Sequence, residues 1–402
     1  MVMGSCPRYE RMQRSVRRAR QRRVALLIES SRAYARELIG GVARFNRERA
    51  DWRVEFTPRG LDDPPPAWLK TWKGDGILAR INDRQMASAL SRKRVPVVDL
   101  RRTLRRRGVP SVGPDDAVVT RLVVDHFRQN GFRRLAFVGL PVGAHKAMDA
   151  RAAHFRRLAE QAGHEHWQLN VKVVTRGDRW ETQCKQISRW IERLDRPCAI
   201  MACNDDLGLQ VLDACRRAGI TVPDEIAVAG VGNDECLCSL ALPALTSVDL
   251  NPRKVGYEAA GLLDRMMAGK SVPDRETVVA PLGIVARMSS DVVATEDATV
   301  AQAVLFIRQH ACGGIQVADV LRHVCVSRAS LEPRFKRVLG RTVHQEIRRV
   351  RLLRVKELLV ATDMPIKQIA RQAGFRYPEY MMRVFLRATG RTLKEYRGSV
   401  RV

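Results

Sequence analysis

The first three quarters of the chain alternate short apolar runs with segments whose apolar residues recur at helical spacing. Residues 24–28 form a continuous apolar run, as in a strand buried on both faces. In residues 34–46, Leu38, Val42 and Phe45 are spaced as on one helical face. Further predicted strands are 52–57, 76–78, 95–98, 135–139, 171–174, 199–202 and 226–231, and further predicted helices are 86–90, 118–127, 151–162, 180–194 and 207–218. Such repeated strand–helix units predict a parallel sheet with helices on both faces.

The number of strand–helix units predicts two adjacent α/β lobes across residues 23–288. In open α/β folds, ligands bind beyond the carboxyl ends of the strands, and here we expect a cleft between the lobes. Residues 1–22 come before this region and are rich in arginine, with little apolar content. They are predicted to be a disordered basic arm that touches phosphates non-specifically. A solvated tail or a misassigned start codon explains them equally well.

Residues 299–402 are predicted to be almost entirely helical, after a polar linker at 289–298. Two pairs of these helices have the pattern of helix-turn-helix motifs. In the second pair, Gly374 ends one helix, because glycine accepts the left-handed conformation, and Pro378 can open the next. In the first pair, Ser327 is well placed as an N-cap. The predicted helices are 300–310, 316–324, 328–339, 343–361, 366–373 and 378–389.

The second helix of each pair is expected to enter a major groove of DNA. Its residues away from the apolar stripe are the candidates for DNA contact. These candidates are Arg328, Ala329, Glu332 and Lys336 in the first motif, and Arg376, Glu379, Met382 and Arg383 in the second. Pro333 stands inside the first of these helices, where proline usually costs ~3 kcal/mol, so a kink is expected there. An ordinary pair of surface helices is the alternative interpretation.

The distribution of charge supports DNA as the partner. The chain has a net charge of +28, and residues 298–402 hold 21 Lys and Arg against 7 Asp and Glu, which is half of the excess. Concentrated positive charge indicates a polyanionic partner, nucleic acid before a membrane. No apolar run approaches the ~20 residues that span a bilayer. Nine scattered cysteines without a C-x-x-C motif indicate a reduced, cytoplasmic protein.

Three motifs mark the helical region: S-R-x-S-L-x-x-R-F-K-x-x-x-G-R-T from Ser327, I-x-x-I-A-x-x-x-G-F from Ile366, and F-x-x-x-x-G-R-T-x-x-E-Y-R from Phe385. On these motifs the region resembles the AraC/XylS family of transcription regulators. The resemblance implies two recognition helices in successive major grooves on one face of the DNA. Tyr377 departs from the family pattern, which often has a capping Ser or Asp there. Met381 and Leu393 stand where the family usually has Phe and Pro.

Three segments mark the α/β region: R-x-x-x-F from Arg151, N-D-D-x-G from Asn204 and G-V-G-N-D-E from Gly230. On these segments the region resembles the periplasmic-binding-protein-like sensor of the LacI/GalR family. The resemblance implies a sugar site in which Arg151 donates to sugar oxygens while Asp205 and Asp234 accept from hydroxyls. Asp206 and Glu235 are expected to be bystanders, and the three predicted ligands could instead be solvated loop charges or helix caps. Tyr34 is expected to stack on the sugar, with simple packing as the alternative.

A sensor that precedes an AraC-type domain is the order found in regulators of xylose operons. The resemblance implies xylose or a related pentose as the effector, a homodimer on neighbouring half-sites and RNA polymerase as a further partner. Activation and repression both remain open. The alternatives are an α/β solute-binding or enzymatic protein with a helical appendage, and a constitutive regulator that has lost its ligand. Neither G-x-G-x-x-G nor a P-loop occurs, and neither a cofactor nor a metal is expected, because His310-x-Cys312 and His323-x-Cys325 fall in helices of the predicted domain.

Overall fold

The computed structural model describes residues 21–61, 63–101, 108–172, 178–272, 276–292, 295 and 297–400. Within these ranges the chain divides into two compact units. The first contains the described residues up to Asp115 together with Asn251–Ala280, and the second contains Asp116–Leu250 and the residues from Pro281 onward. The chain therefore passes from the first unit to the second, returns once, and ends in the second.

Short strands and longer helices alternate through most of the described chain. The strands are β1 (Arg23–Leu27), β2 (Arg53–Phe56), β3 (Gly76–Ala79), β4 (Val97–Asp99), β5 (Val112–Pro114), β6 (Arg134–Gly139), β7 (Glu165–Asn170), β8 (Cys198–Ala202), β9 (Ile226–Val231), β10 (Thr246–Asp249), β11 (Thr277–Val279) and β12 (Gly283–Val285). The helices up to the end of the α/β part are α1 (Ala33–Arg49), α2 (Arg84–Ser91), α3 (Asp116–Gln129), α4 (Lys146–Gln161), α5 (Arg179–Ile191), α6 (Asp205–Arg217), α7 (Glu235–Leu240) and α8 (Pro252–Met267). The later helices are α9 (Ala298–His310), α10 (Val317–Val324), α11 (Arg328–Leu339), α12 (Val343–Ala361), α13 (Ile366–Gln372), α14 (Pro378–Thr389) and α15 (Leu393–Val400). This order confirms the predicted α/β part followed by a helical part.

The first unit is built on a four-stranded parallel sheet with the order β2-β1-β3-β4. One face packs on α1 and α8, in a core that includes Leu38 and Val42. The other face packs on Trp72 and on α2, through Met86 and Leu90. The sheet therefore has cover on both faces, which explains why β1 and β3 read as unbroken apolar runs.

The second unit contains a six-stranded sheet with the order β12-β10-β9-β8-β6-β7. The pairs from β10 to β7 are parallel, and β12 runs antiparallel to β10. Parallel strands place their carboxyl ends along one edge, so the loops that follow β6, β8 and β9 meet there. This edge carries most of the predicted ligand residues.

The strand predicted at residues 171–174 is wrong over its described part. Val171 and Lys172 lie outside any strand, and residues 173–174 lie outside the described ranges. The strand in this region is β7, which lies at the edge of the sheet and has no fully buried side chain. Because its sequence EHWQLN lacks an apolar run, the hydrophobic pattern does not reveal it. The sequence pattern also did not predict the strands β5, β10, β11 and β12 or the helices α7, α8 and α15.

Two separate apolar clusters stabilise the C-terminal helices. The first runs from Val300 to Ile347 and the second from Leu352 to Leu393. Ser327 caps α11 as predicted, by accepting a hydrogen bond from the Ser330 backbone N–H at 3.2 Å. No described helix is long and apolar enough to cross a membrane.

Neither Pro333 nor Tyr377 interrupts a recognition helix. Helix α11 runs across Pro333 without a break in its helical assignment. Tyr377 precedes α14 and makes no side-chain capping hydrogen bond, and Pro378 occupies the first turn. Proline at the first helical position has no N–H, so α14 begins with one fewer unpaired backbone donor than a helix that begins with another residue.

The contact between α1 and α8 depends on glycine. A Cβ atom at Gly41 would overlap the Arg253 carbonyl oxygen, and one at Gly256 would overlap the Leu38 carbonyl oxygen. The neighbouring Gly40 faces open space, where an added Cβ atom would meet no atom within 4 Å. The two helices can therefore approach this closely only where both lack a side chain.

Gly41→Ala is expected to destabilise the first unit by about 1–3 kcal/mol, because the added methyl group must push α1 and α8 apart. Gly40→Ala is the matched control and should be neutral or stabilising by up to about 1 kcal/mol, since alanine favours the helix. The midpoint of urea unfolding, followed by circular dichroism, measures both. Equal midpoints for the two variants would contradict the close approach.

Candidate functional site

The carboxyl edge of the second sheet brings Arg151, Asp205 and Asp234 into one region. Arg151 lies on α4, after β6; Asp205 opens α6, after β8; and Asp234 caps α7, after β9. Two of the three are in direct contact, because the Asp234 backbone N–H donates to Asp205 Oδ2 at 2.9 Å. The spacing of Asp205 and Asp234 along the sequence does not predict this contact, because it depends on the order of the strands in the sheet.

Asp205 is a buried carboxylate, only 5% exposed. Its Oδ1 accepts from the Ser247 hydroxyl at 2.5 Å, and its Oδ2 accepts from the Asp234 backbone. Burial raises the pKa of Asp205, and the two hydrogen bonds oppose that rise. A side chain at Gly230 would overlap Asp205 Oδ1, so the neighbouring strand end must be glycine. Asp205 therefore ties the start of α6 to the loop after β9 and to Ser247 in β10.

Arg151 is also buried, with 4% of its surface exposed. Its Nε donates to Asp116 Oδ1 at 2.8 Å, and its Nη1 donates to the Cys203 carbonyl at 2.7 Å. Asp116 is the first residue of α3. One guanidinium group therefore holds the start of α3 against the residue that follows β8.

Asp234 is the least committed of the three predicted ligands. It is partly exposed, and as the N-cap of α7 it accepts a long hydrogen bond, 3.4 Å, from the Leu237 backbone. Its neighbour Glu235 is exposed and pairs with Arg287 at 2.6 Å. The contrast makes Asp234 the carboxylate best able to accept further hydrogen bonds.

Tyr34 lies in the first unit, on α1, partly buried against the core. The Arg80 guanidinium lies over its ring, 5.3 Å from the centroid. Arg80 also pairs with Glu29, and both are buried at the carboxyl end of the first sheet. Glu29 Oε2 and Arg80 Nε are buried without a hydrogen-bond partner in the described chain. A buried acceptor and a buried donor therefore remain unsatisfied beside Tyr34.

Several residues at these edges were not predicted from the sequence. They are Glu29, Arg80, Asp116, Ser247 and Arg287. A carboxylate directly after a buried apolar run is a signal that could have indicated Glu29. The pairing of Asp116 with Arg151, 35 positions apart, has no local signal, because it depends on which strands are neighbours.

The eight predicted DNA contacts lie on the two recognition helices or just before them. Seven are exposed, and Glu332 is partly buried. Glu332 accepts from the Val343 backbone at 3.4 Å and lies 3.7 Å from Arg328 Nε. Glu332 is therefore partly committed to the start of α12. The exposed residues are Arg328, Ala329, Lys336, Arg376, Glu379, Met382 and Arg383.

Two arginines of the second motif lie over tyrosine rings. Arg383 Cζ is 5.8 Å from the ring centroid of Tyr380, and Arg376 Cζ is 5.3 Å from that of Tyr377. Both tyrosines are exposed, at 37% and 56%. Stacking of this kind is worth about 0.5–1 kcal/mol at exposed sites and limits the rotamers of the arginine. The arginines are therefore partly ordered on the solvent face of the motif.

His310 and His323, which lie near cysteines in the sequence, both pack on Phe306. The ring centroids are 4.7 Å and 4.2 Å from that of Phe306. Both histidines therefore take part in aromatic packing at the surface of the first motif.

A polar junction in the second unit joins α3 to the helical part. His126 Nε2 lies 2.8 Å from Ser290 Oγ, and Asn130 Nδ2 donates to the Ser290 carbonyl at 3.0 Å. Arg308, on α9, pairs with Asp291 at 2.7 Å and donates to Asn130 Oδ1 at 3.3 Å. Ser290, which falls in the predicted linker, is fully buried. The junction is therefore packed and specific.

Buried charge surrounds this junction. Glu346 is fully buried and pairs with Arg341 at 2.5 Å and Arg349 at 2.7 Å. Burial raises the pKa of Glu346, but the two arginines outweigh it and hold the pKa at about 2. Burial, together with the positive charge of Arg349 and Arg308, lowers the pKa of His126 to about 3. His126 is therefore neutral at physiological pH.

Three family models match successive parts of the chain. They are an XylR N-terminal domain at residues 23–108, a periplasmic binding protein-like domain at 124–290 and a helix-turn-helix domain at 320–399. The xylose operon regulatory protein of Escherichia coli K12 is 30% identical over 94% of this chain and 97% of its own length. The chain belongs to the family of xylose operon regulatory proteins.

A second relative and a solved structure support the assignment. The xylose operon regulatory protein of Haemophilus influenzae is 28% identical over 93% of this chain and 98% of its own. A solved structure, described as the xylose-binding transcription activator XylR, is 29% identical and superposes with a TM-score of 0.62 over 94% of this chain and 98% of its own.

Membership of the family confirms the predicted fold class and the general function. The chain is a sugar-responsive, DNA-binding transcription regulator with a periplasmic-binding-protein-like sensor and an AraC-type helix-turn-helix domain. Membership of this family favours transcription regulation over the alternatives of a solute-binding or enzymatic protein.

His126 predicts how the stability of the protein depends on pH. The unfolded histidine binds a proton near pH 6.5, whereas the folded one does so only near pH 3. Between these values the unfolded state binds more protons, so stability falls as the pH falls, by about 2 kcal/mol from this residue between pH 7.5 and 5. Urea unfolding at the two pH values measures the loss.

His126→Gln should remove that share of the pH dependence, since glutamine does not titrate. His344→Gln, at an exposed position, is the matched control and should keep the wild-type dependence. If all three proteins lost the same stability between pH 7.5 and 5, a neutral buried His126 would be ruled out.

Proposed function

We propose that the chain binds xylose or a related pentose through Arg151, Asp205 and Asp234, and that the sugar changes its affinity for DNA beside sugar-utilisation genes. The observation that carries the proposal is the convergence of these three residues at one sheet edge. They occur in a chain similar over 94% of its length to a regulator named for a xylose operon. A guanidinium group donates to sugar oxygens, and carboxylates accept from vicinal hydroxyls.

The contacts support different roles for the three residues. Asp234 has the most accessible carboxylate and is the proposed direct acceptor from sugar hydroxyls. Asp205 is already hydrogen-bonded through both oxygens, so its main contribution is to hold the Asp234 loop in place. Arg151 donates from the guanidinium that also binds Asp116, which links the sugar to α3.

Within the first unit alone, we propose Tyr34 as a stacking surface for a sugar ring. The Arg80 guanidinium lies over its ring, 5.3 Å from the centroid. The unsatisfied Glu29 Oε2 and Arg80 Nε are suited to one sugar hydroxyl, which can donate to the first and accept from the second.

Helix α3 is the proposed route by which sugar binding affects the DNA-binding part. Its first residue, Asp116, pairs with Arg151, and its last turn and the following Asn130 contact the junction with Arg308. Fourteen helical residues span about 20 Å at 1.5 Å each. A sugar that draws Arg151 away from Asp116 would change the position of α3, provided that it binds the two arrangements with different affinity.

Asp234→Asn is expected to weaken xylose binding about 10–100-fold, because a hydrogen bond to a charged group contributes about 1.5–3 kcal/mol. Asparagine is as good an N-cap as aspartate, so α7 should stay intact. Isothermal titration calorimetry with xylose, arabinose, ribose and glucose measures the affinity and identifies the preferred sugar. Failure of the wild-type chain to bind any of the four sugars would refute the sugar site.

Two further variants separate binding from response. Glu235→Gln removes an adjacent carboxylate and should leave sugar affinity unchanged. Asn130→Ala should bind sugar normally but lose the effect of sugar on DNA affinity, because it removes the contact between α3 and Arg308. If Asn130→Ala responded to sugar like the wild type, α3 would not be the route.

For DNA, we propose that α11 and α14 enter successive major grooves and that two chains bind neighbouring half-sites as a homodimer. RNA polymerase is the proposed further partner, and the cytoplasm is the proposed location, where the chromosome lies. The exposed basic residues of both helices support this arrangement. No chemical step is required, so we propose that the protein is not an enzyme.

Arg328→Ala and Arg383→Ala are each expected to lower specific DNA affinity by about 1–3 kcal/mol, the usual value of one bidentate base contact. Arg387→Ala, in the last turn of α14, is the matched control. It should have a smaller effect that is uniform across sequences, because the N-terminal part of a recognition helix reads bases. Fluorescence anisotropy with selected and scrambled DNA distinguishes the two patterns, and equal losses on both DNAs would contradict base reading by Arg328 and Arg383.

A further inference from the structure

The two helix-turn-helix motifs have independent hydrophobic cores. The first core runs from Val300 to Ile347 and the second from Leu352 to Leu393, and no buried apolar residue of the described chain belongs to both. Helix α12 contributes to each, with Val343 in the first and Leu352 in the second. Apolar packing therefore stabilises each motif separately, and the distance and angle between the motifs depend on the continuous helix α12 and on the contacts beside it.

Arg351 lies where α12 passes from one core to the other. Its Nε donates to the Ala311 carbonyl at 2.8 Å, and its Nη2 donates to the Ile315 carbonyl at 2.7 Å. Both carbonyls lie between α9 and α10, in the first motif. Its Cζ lies 5.9 Å from the ring centroid of Phe375, in the turn of the second motif. One side chain therefore contacts both motifs.

Gly374 brings the backbones of the two motifs into contact at the same place. It has a φ of +75°, which a glycine adopts without strain. A Cβ atom there would lie 2.6 Å from the Ala311 oxygen and 2.8 Å from the Cys312 oxygen. The turn of the second motif therefore packs directly on the Ala311 carbonyl, which Arg351 also binds, and on the neighbouring Cys312 carbonyl.

We propose that Arg351 and Gly374 form a spacer that sets the separation of the two recognition helices, and thereby the number of base pairs between the two operator segments that one chain reads. Arg351 is a positioning residue in this role and reads no base. The proposal rests on the proposed function, in which both motifs bind DNA together. It adds a determinant of specificity that lies away from the recognition helices themselves.

The geometry of DNA makes such a spacer consequential. One base pair advances the groove by about 3.4 Å and rotates it by about 35°. Two rigidly spaced recognition helices therefore fit one spacing and lose the contacts of one motif at any other. If the junction is loosened, the motifs can follow a shifted site, and the cost of an inserted base pair falls.

The chemistry of the contact explains why arginine is required. A planar guanidinium offers several N–H donors in fixed directions, so it can bind two carbonyls and lie over an aromatic ring at once. A lysine ammonium group is a compact charge on a flexible stem and cannot reproduce this fork. Arg351→Lys therefore preserves charge and removes the defined geometry.

The experiment uses the full-length chain and measures spacing preference. The operator is first selected from random DNA with the wild-type protein. A series is then made with one base pair removed and with one or two inserted between the two contacted segments, and affinities are measured by fluorescence anisotropy. Arg351→Ala, Arg351→Lys and Gly374→Ala are compared with Arg354→Ala, which removes a charge from an exposed position one turn along α12.

The wild type and Arg354→Ala are expected to lose about 100-fold in affinity with one inserted base pair, as for the loss of two or more base contacts. Arg351→Ala and Arg351→Lys should lose less than about 10-fold, relative to their own best operator, because the motifs are no longer held at one spacing. Gly374→Ala should prefer a different spacing or tolerate several. If Arg351→Ala does not fold, Arg351→Lys and Gly374→Ala decide the question.

Two outcomes overturn the proposal, and they differ from each other. If the spacer variants bind all operators more weakly but keep the wild-type profile of spacing, the residues are merely structural and the spacer is wrong. If the wild-type chain selects no common sequence, the proposed DNA recognition fails, and the spacer with it.

Discussion

The cost of burying a charged side chain without a partner constrains this molecule at the starts of α3 and α12. Breaking a buried pair typically costs about 3–5 kcal/mol, whereas an exposed pair contributes about 0–1 kcal/mol. Arg151 with Asp116 fixes the start of α3, and Glu346 with its two arginines fixes the start of α12. Exposed pairs such as Arg44 with Glu48 lie on the surface and contribute little to stability. The buried pairs therefore define which arrangements of the helices are stable.

Polar contacts also explain how a sensor lobe and a DNA-binding part can lie in one compact unit and still respond to a ligand. The junction of α3 with α9 is made of hydrogen bonds and ion pairs, with Asn130, Ser290 and Arg308 as its members. Hydrogen bonds and ion pairs depend on distance and angle, so small displacements make or break them. In the proposed route, a change at one end of α3 alters the contacts at its other end. The size of the response is limited by the difference in sugar affinity between the two arrangements.

The sequence predicted what depends on local pattern, and it failed where the structure depends on neighbours in space. Helices α11, α12 and α14 begin and end where the apolar period, Ser327, Pro378 and glycine predict, because caps and periodicity are local. Strand β7 was misplaced because an edge strand needs no apolar run. The candidate ligands Arg151, Asp205 and Asp234 came from a family resemblance, and their contacts with Asp116 and Ser247 follow only from strand order.

The two recognition helices differ in how much order their arginines have before DNA binds. In the first, Arg328 is exposed and lies beside Glu332, which is itself held by the start of α12. In the second, Arg376 and Arg383 lie over tyrosine rings. A side chain that is already restricted loses less conformational entropy when it binds, and fixing a long side chain costs about 0.5–1.5 kcal/mol. A neighbouring carboxylate has the opposite effect, because the arginine must give up that interaction before it meets a base. We therefore propose that, at equal numbers of base contacts, the second motif contributes more to affinity than the first, and that the proposed spacer at Arg351 extends that advantage to the site read by the first motif.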